Sequence, residues 1–500
     1  MPRLLLLLVL LLASGCVARD GAAPAATLPA ATPAPPLPVG PPTAPPTLEA
    51  QVRSTQVGAE DLRTLVRTLP VRAIEPTVGV TSLGVIFYAT NGPLEGSGRD
   101  WTYVVRSRDG GRSWEDATPL LVEGRSFPTH TNDPYLHVDR DTGRVFMSHS
   151  QAACSALSFS DDEGESWTSN PVGCGHPVGV HDHQHVFTAK PRLLTTSGYP
   201  NLVYYCISRV VDGACATSVD GGLTFGALRP LVWPPVNVDL VERCRGLMGH
   251  GVAHPDGSVY VPAGWCGIPS VAVSDDDGLT WQIRAVVPEK RMHENDHEVS
   301  IAFDAGGVLH AAWIGLDRRP YLASSADRGK TWSVPVDVGP GGPGSAAFVS
   351  LAAGGRGHVV VSYVLTEVEA PYHRMPDEAL WHPYLSIVRV SDEGVEVRAL
   401  RGTEDPVARG ACGGRKCVGE GGGIADFLDV TIDPQGRPWA TFVDMCAATC
   451  AAGSRHDSAA ALLLTLARGP SLVNGEPLPP LGGGDDDGSE AAAGARAYGR

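Results

Sequence analysis

Five copies of one short motif constrain the fold of this chain more than any other feature. Each copy reads Ser-x-Asp-x-Gly-x-Ser/Thr-aromatic, and the first is SRDGGRSW. The five aspartates are separated by 53, 58, 56 and 51 residues, and they are Asp109, Asp162, Asp220, Asp276 and Asp327. One match would mean little, because Asp-Gly turns are common. Near-constant spacing over five copies indicates a repeat architecture.

A second recurring unit precedes each motif. It consists of a polar start, an apolar strand, a turn and another apolar strand, as in DPYLHVDRDTGRVFMSHS at Asp133–Ser150. A third strand leads into the motif, and a short outer strand follows it. Four antiparallel strands in about 50 residues predict one propeller blade. The starting strands lie near Glu75, Asp133, His183, His250, His297, Ser345 and Asp426. The sequence therefore predicts an all-β, seven-bladed propeller, with six blades as the alternative.

Composition agrees with many short strands. The chain contains 59 Gly and 42 Pro, and only 19% of its residues are charged. This composition suits strands joined by turns and is poor material for long helices. The formal net charge is −16. A negative charge of this size disfavours nucleic acids and anionic membrane surfaces as partners.

The repeated motif resembles the Asp-box, or BNR repeat, of sialidases and many other β-propellers. This resemblance covers most of the predicted folded region. It implies that each motif aspartate accepts backbone N–H bonds across a hairpin turn, while the glycine permits the turn and the aromatic side chain packs inward. In that family the boxes lie at the blade periphery, away from the ligand site. The five aspartates are therefore interpreted as structural residues, and function must be sought elsewhere.

The N-terminal segment predicts export. Arg3 precedes the apolar run Leu4–Leu12, and small residues follow it, which is the pattern of a secretory signal peptide. The sequence Ala-Ser-Gly-Cys then resembles the lipobox of bacterial lipoproteins, which implies that Cys16 is lipidated and begins the mature chain. The residue directly after Cys16 is Val17, and not the Asp that would suggest retention at the inner membrane. The predicted location is the bacterial cell envelope, and the outer membrane if the host is diderm.

Four segments follow from these patterns. Residues 1–16 are the predicted signal peptide, and residues 17–47 form a tether rich in Pro and Ala. Residues 48–480 are predicted to form the propeller. Residues 481–500 are predicted to be a disordered tail, because they are acidic and rich in Gly. The lipid anchor is the only predicted contact with a membrane, and the propeller is expected to be a monomer.

The cysteine count also agrees with export. Eleven cysteines leave ten after Cys16, and they occur as near neighbours along the chain. Local disulfides are expected in an oxidising compartment. The candidate pairs are Cys154 and Cys174, Cys206 and Cys215, Cys244 and Cys266, Cys412 and Cys417, and Cys446 and Cys450. A cysteine-rich metal site is the alternative, but the sequence contains no CxxC pair to support it.

The resemblance also raises the possibility of sialidase chemistry. An exo-sialidase needs an arginine cluster for the substrate carboxylate, a Tyr nucleophile supported by a Glu, and an Asp acid/base. The family's Arg-Ile-Pro sequence has its nearest counterpart in Arg72-Ala73-Ile74-Glu75-Pro76, where Arg72 is displaced from the expected position. The candidate arginines are Arg72, Arg245, Arg291 and Arg319.

Polar residues recur at the starts of the predicted inner strands. Such residues can converge at one mouth of a propeller channel and bind a cation, a sugar or a basic peptide group. The candidates are Glu75, Asp133, His183, His250, Asp296, Glu298, Asp426 and Asp429. The alternative is that the starts of inner strands are wet and simply tolerate polar residues.

One stretch of this set, VHDHQHVF, places His181, His183 and His185 on alternate residues of a strand. Alternate residues share a face, so this stretch is a candidate Zn or Cu surface. Hydrogen-bonded channel histidines are the competing interpretation.

The predicted function is a lipid-anchored propeller at the cell surface that binds a glycan or another envelope or extracellular protein. An exo-sialidase or a related glycoside hydrolase is the alternative, and a purely structural propeller is the second alternative. No cofactor is required by this interpretation, although the channel residues could hold a bound Ca or Zn ion.

Overall fold

A computed structural model gives the fold as seven antiparallel sheets that follow one another along the chain. It describes residues 48–49, 51–54, 62–93, 100–122, 125–126, 132–151, 154–172, 182–208, 213–231, 247–289, 291–292, 299–410, 427–446 and 459–481. The sheets are numbered blades 1 to 7 in chain order. Seven four-stranded blades in a ring make a β-propeller, so the prediction of an all-β, seven-bladed propeller is confirmed.

Each blade begins with an inner strand. In blade order the inner strands are Ile74–Val80, Asn132–Val138, Asp182–Ala189, Val252–Ala253, Ser300–Phe303, Ser345–Ala353 and Val430–Ile432. A short turn leads from each to the second strand, except in blade 3, where residues 190–201 form a longer loop. The second strands are Ile86–Pro93, Val145–Gln151, Leu202–Ser208, Val259–Trp265, Leu309–Ile314, His358–Thr366 and Pro438–Asp444.

The third and outer strands complete each blade. The third strands are Asp100–Ser107, Cys154–Ser160, Gly213–Ser218, Ile268–Ser274, Pro320–Ser325, Leu380–Ser391 and Ala460–Arg468. The outer strands of blades 1 to 6 are Ser113–Asp116, Thr168–Val172, Arg229–Pro230, Gln282–Ala285, Val336–Asp337 and Gly394–Arg401. Shorter elements are Leu120–Val122, Arg125–Ser126, Ala408–Arg409 and the 3-10 turn Tyr372–Arg374.

Both ends of the folded chain build blade 7. Its fourth strand is the N-terminal segment Arg63–Arg72, which pairs with the third strand from the C-terminal end, Ala460–Arg468. Gln51–Ser54 adds a fifth strand to this sheet, and Leu48–Glu49 adds an edge strand to blade 1. The ring is thus closed by strand pairing between sequence-distant segments. No helix in the described ranges is long and apolar enough to cross a membrane.

The hydrophobic core consists of layers between neighbouring blades. Between blades 1 and 2, for example, Phe87 and Val104 pack with Leu136 and Met147. These apolar side chains alternate along strands of both sheets, so each blade buries both of its faces. This explains why the second strands are almost continuously buried, since a propeller blade has a neighbour on either side.

The five predicted Asp-boxes form five turns with one geometry. In the first box, Ser107 Oγ donates to Asp109 Oδ1 at 2.8 Å and accepts the N–H of Gly111 at 2.8 Å. Asp109 also accepts the N–H of Ser113 at 2.9 Å and its hydroxyl at 2.6 Å. Trp114 lies behind the turn, fully buried. The same bonds recur at Asp162, Asp220, Asp276 and Asp327.

The box turns also fasten each blade to the one before it. Arg106 of blade 1 donates to Glu163 O in the box of blade 2 at 2.5 Å, and Arg284 of blade 4 donates to Arg328 O of blade 5 at 2.6 Å. In the box of blade 4, the Asp277 carboxylate accepts backbone N–H groups of the blade 3 loop at Arg192, Leu193 and Leu194. The motif therefore acts between blades as well as within its own hairpin.

One of the candidate cysteine pairs is seen directly. Cys206 and Cys215 face each other on neighbouring strands of blade 3 and form a disulfide, with Cα atoms 4.1 Å apart. Cys266 and Cys446 are each disulfide-bonded as well. Their candidate partners lie outside the described residues, as do Cys16, Cys174, Cys412 and Cys417.

Candidate functional site

The central channel is surrounded by the inner strands. We call the mouth at which the inner strands begin the start mouth, and the opposite one the end mouth. Four inner strands carry a β-bulge near the start mouth. Each bulge contains a non-glycine residue in the left-handed region, namely Glu75 (φ 52°), Asp133 (φ 52°), His183 (φ 48°) and Phe348 (φ 56°). Such backbone is costly, so its recurrence at equivalent positions marks this rim as a specialised part of the fold.

A relay of hydrogen bonds connects the first three bulges. Glu75 Oε2 of blade 1 accepts the N–H of Asp133 in blade 2 at 3.1 Å. Asp133 Oδ2 in turn accepts the N–H of His183 in blade 3 at 3.0 Å. The bulges release these N–H groups from their own strand ladders, which makes them available to the neighbouring blade. The carboxylates of Glu75 and Asp133, two of the predicted channel residues, therefore accept hydrogen bonds that link neighbouring blades.

Asp429 and Ser300 make the same kind of bond elsewhere in the ring. Asp429 Oδ2 of blade 7 accepts the N–H of Val78 in blade 1 at 3.0 Å. Ser300 Oγ of blade 5 accepts the N–H of Leu351 in blade 6 at 2.9 Å. In every case a side chain of one blade accepts from the backbone of the next. Polar residues at inner strands are thus explained largely by ring assembly.

Asp133 has an unusual electrostatic environment. Its side chain is only 4% exposed, and burial raises the pKa of its carboxyl from 3.8 to about 6, although the charge of His183 opposes this effect. The nearby Asp182 raises the pKa further, while a side-chain hydrogen bond with Glu75 lowers it. Two carboxyl groups in contact at a buried site favour holding one proton between them. Near neutral pH, Asp133 is therefore close to its titration point.

Aromatic and imidazole rings fill the channel behind this relay. The rings of Tyr135 and His250 are stacked at a tilt, with centroids 3.9 Å apart, and His185 lies 5.9 Å from both. Phe427 contacts His250 at 5.8 Å and His183 at 5.5 Å. Burial lowers the pKa of His185 to about 4 and that of His250 well below its ordinary value. Both imidazoles are therefore neutral at physiological pH.

A cavity of about 610 Å³ extends from this ring cluster to the end mouth. Tyr135 and His250 line its inner end, and apolar side chains such as Val252 and Ile301 line its walls. Its volume is in the range of small-ligand sites. The cavity thus combines an aromatic floor, neutral imidazole groups and apolar walls.

Charged groups at the end mouth are largely paired with one another. Lys190 Nζ lies 2.5 Å from Asp141 Oδ2, and Asn201 donates to both Asp139 (2.8 Å) and Asp141 (3.1 Å). Arg140 Nη2 donates to Ile432 O at 2.5 Å. This rim is polar but locally neutralised, so it does not favour a strongly charged ligand.

The structure brings together five of the eight channel candidates, namely Glu75, Asp133, His183, His250 and Asp429. Asp296, Glu298 and Asp426 lie outside the described residues. The candidate histidine surface is also only partly described, because His181 is outside these residues. The bulge gives His183 and His185 different ring neighbours. Among the described residues, no three His, Cys, Asp or Glu side chains are arranged to hold a metal ion. Ca or Zn binding stays a prediction.

The described candidate arginines do not form a visible cluster. Arg72 is exposed at the end of the fourth strand of blade 7. Arg291 Nη2 lies 3.0 Å from Glu289, and Arg319 Nε lies 2.8 Å from Asp337. Arg245 lies outside the described residues. Arg291 and Arg319 are thus engaged by neighbouring carboxylates.

Sequence reasoning missed the aromatic part of the site. Tyr135 and Phe427 stand beside the polar candidates Asp133 and Asp426 in the sequence. The available signal was an aromatic residue close to the polar start of an inner strand. This signal does not by itself distinguish a site from packing, because aromatic residues on strands usually belong to the hydrophobic core.

The blade order, the ring closure and the five box turns define a seven-bladed β-propeller with Asp-box turns. This is the class of fold. No protein-family model matches the sequence, and no curated protein matches it either.

Several solved structures resemble the fold at low sequence identity. A protein of unknown function from Dyadobacter fermentans has 16% identity and a TM-score of 0.41, covering 80% of this chain and 98% of that one. The intramolecular trans-sialidase of Ruminococcus gnavus has 14% identity and a TM-score of 0.39, with 79% and 94% covered. The endosialidase of phage phi92 has 12% identity and a TM-score of 0.42, with 90% and 72% covered. These similarities concern the fold.

Proposed function

We propose that this chain is an exported, lipid-anchored propeller that binds a glycan in its central cavity. The observation that carries the proposal is the cavity of about 610 Å³ that ends on Tyr135 and His250. A neutral imidazole offers one donor and one acceptor, which matches sugar hydroxyl groups. Aromatic rings provide apolar faces on which a sugar ring can stack. The neutralised rim favours an uncharged glycan over an ionic one.

The hydrogen bonds that the channel carboxylates make support a binding function rather than a catalytic one. Glu75, Asp133 and Asp429 each accept a backbone N–H of the next blade. A general acid or base must be free to exchange a proton with the substrate. Carboxylates that hold the ring together are poorly suited to that role.

An exo-sialidase is the rival function. It would require arginines that are available for the substrate carboxylate. The pairing of Arg291 with Glu289 and of Arg319 with Asp337 does not favour this role. A protein ligand from the envelope or the exterior is the other partner class, and it would have to reach the cavity with a narrow segment.

The cellular location belongs to the same proposal. The segment before the propeller has the sequence pattern of a signal peptide and a lipobox-like Cys16, and this pattern supports export and lipidation. A tether of about 30 residues rich in Pro and Ala would hold the propeller away from the membrane. The propeller closes on itself, so the proposal includes a monomer that requires neither a partner subunit nor a cofactor.

The test is glycan binding by the full chain purified in detergent. Neutral oligosaccharides are screened, and the metal content is assayed on the same sample. His250→Phe keeps the ring stack but removes the nitrogen atoms, so we expect it to abolish binding. His149→Phe is the matched control, because His149 is also a buried imidazole whose pKa burial lowers, to about 3, and it does not line the cavity.

Hydrolysis of a fluorogenic sialoside panel is measured in parallel. Turnover that is lost on substitution of Tyr or Arg residues at the channel would overturn the binding proposal in favour of the enzyme. Equal loss of glycan binding in both histidine variants, with thermal unfolding showing that both are folded, would also contradict it, because binding would then not depend on the residue that lines the cavity.

A further inference from the structure

The junction between blades 6 and 7 differs from the junctions between blades 1 and 5. Between blades 1 and 5, the Asp-box turn of each blade bonds to the blade before it, as Gly221 O does to Arg144 (2.7 Å). Blades 6 and 7 contain none of the five boxes. After its third strand, the segment from Gly469 runs along blade 6, where Leu472 O accepts the N–H of Gly355 at 2.7 Å. A groove of about 500 Å³ remains beside this segment.

The groove is lined by basic side chains from two blades. Arg389 and Arg398 come from the outer hairpin of blade 6, and Arg468 comes from the end of the third strand of blade 7. His358 and a single acidic residue, Glu396, also line it. This local excess of positive charge stands out on a chain whose formal net charge is −16.

Strand register explains why these residues meet. His358 pairs with Arg389, and Arg389 pairs with Glu396 across the next strand. Ile387 pairs with Arg398 two residues further along. Directly paired residues, and residues two apart on a strand, share one face of a sheet. The ladder therefore fixes these side chains on the face of blade 6 that borders the groove.

The charges of the groove are available to a ligand. Arg389 and Arg468 are exposed, and neither side chain has a hydrogen-bond or ion-pair partner among the described residues. Arg398 contacts Glu396 at 3.1 Å, but both members are well exposed, at 43% and 59%. Exposed ion pairs contribute little and exchange readily. His358 adds a buried Nδ1 atom that neither donates nor accepts a hydrogen bond in the described part of the chain.

We propose that this rim groove binds an anionic polysaccharide through its carboxylate or sulfate groups. Guanidinium groups bind such planar or tetrahedral anions with two hydrogen bonds at once. Arginines spaced along a groove match a polymer that carries repeated charges. A concave groove is also accessible to a single chain, whereas a flat bilayer reaches mainly convex surfaces. This site is separate from the central cavity, so it does not depend on the proposed function.

The experiment measures binding of the full chain, in detergent, to polygalacturonate and dextran sulfate, with neutral dextran as the control polymer. We expect binding to the two polyanions that weakens as salt increases. Arg389→Gln combined with Arg468→Gln should weaken it by about tenfold or more, since hydrogen bonds to charged groups are strong. Arg229→Gln combined with Arg374→Gln removes the same charge from exposed positions outside the groove and should leave binding nearly unchanged.

A gain-of-function variant makes the test independent of folding defects. Among the described residues that line the groove, Glu396 is the only acidic one. Glu396→Gln should therefore strengthen binding by about two- to fivefold, because it removes a repulsion. Thermal unfolding of each variant reports whether the fold is retained.

Three results would overturn the proposal. The first is an equal loss in the two double variants, which would indicate nonspecific charge attraction. The second is the absence of binding to either polyanion. The third is binding to polyglutamate or to phosphatidylglycerol vesicles with none to the polysaccharides, which would assign the groove to an acidic peptide or a lipid headgroup. Failure of neutral-glycan binding in the cavity bears on none of these outcomes.

Discussion

Replacing Asp133 by Asn should stabilise the protein at neutral pH and have no effect in acid. Burial raises the pKa of Asp133 to about 6 in the folded chain, against 3.8 ordinarily. Between these values the folded state binds more protons than the unfolded state, so stability falls as pH rises. This difference in pKa lowers the free energy of unfolding by about 3 kcal/mol above pH 6. Asn carries no charge and therefore avoids this cost.

The geometry of the site suits this substitution. Asn tolerates the left-handed backbone of position 133, where φ is 52°. Its side-chain oxygen can still accept the N–H of His183, which Asp133 binds at 3.0 Å. Its NH₂ group can donate to Glu75. The substitution therefore preserves the inter-blade relay while it removes the buried charge.

The assay is denaturant unfolding of the full chain at several pH values from 4 to 7.5, followed by tryptophan fluorescence. The variant should match the parent near pH 4 and exceed it by up to about 3 kcal/mol at pH 7.5. Asp304→Asn serves as the opposite control. Burial would raise the pKa of Asp304, but bonds from His310 and two backbone N–H groups lower it to about 2. The reasoning would be refuted if Asp133→Asn were less stable than the parent at pH 7.5, or if the difference in stability between them did not vary with pH.

Three further predictions concern the fastening of the ring, each measured by denaturant unfolding. Asp277→Asn should lower the free energy of unfolding by about 2–4 kcal/mol, because the Asp277 carboxylate accepts three consecutive backbone N–H groups. An unchanged midpoint of denaturant unfolding would contradict this. Gly164→Ala should cost about 2–3 kcal/mol, since the new Cβ would lie 2.8 Å from Phe87. Gly143→Ala, with similar φ and open space, should cost only about 1 kcal/mol. Cys206→Ser should lower the free energy of unfolding by about 2–3 kcal/mol, and reductant should destabilise the parent by at least as much, because Cys266 and Cys446 are disulfide-bonded too.

Much of the fold could be predicted because each of the first five blades carries a recognisable copy of the same motif. The spacing of the boxes from Asp109 to Asp327 predicted the length of a blade. The number of inner strands with a polar start predicted the number of blades. The origin of the fourth strand of blade 7 was not predictable in the same way. Arg63–Arg72 has no motif of its own, and its pairing with Ala460–Arg468 depends on closure of the whole ring.

The candidate site could be predicted only in part. The sequence placed Glu75, Asp133 and Asp429 at the channel, but it did not reveal that their carboxylates bind backbone groups of the next blade. That role depends on β-bulges, which leave no mark on a strand pattern of two-residue period. The partnership of Tyr135 with His250 joins blades 2 and 4, so no local pattern could show it.

The closure of blade 7 has a consequence for the order of folding during synthesis. Arg63–Arg72 is among the first folded segments to be synthesised, yet its partner Ala460–Arg468 is among the last. Until that partner arrives, a ten-residue strand presents an unpaired edge, which is a template for aggregation. A chain cut short before residue 460 can never cover it. The fold therefore distinguishes truncated chains from those that include Ala460–Arg468, because only the latter cover this edge of Arg63–Arg72.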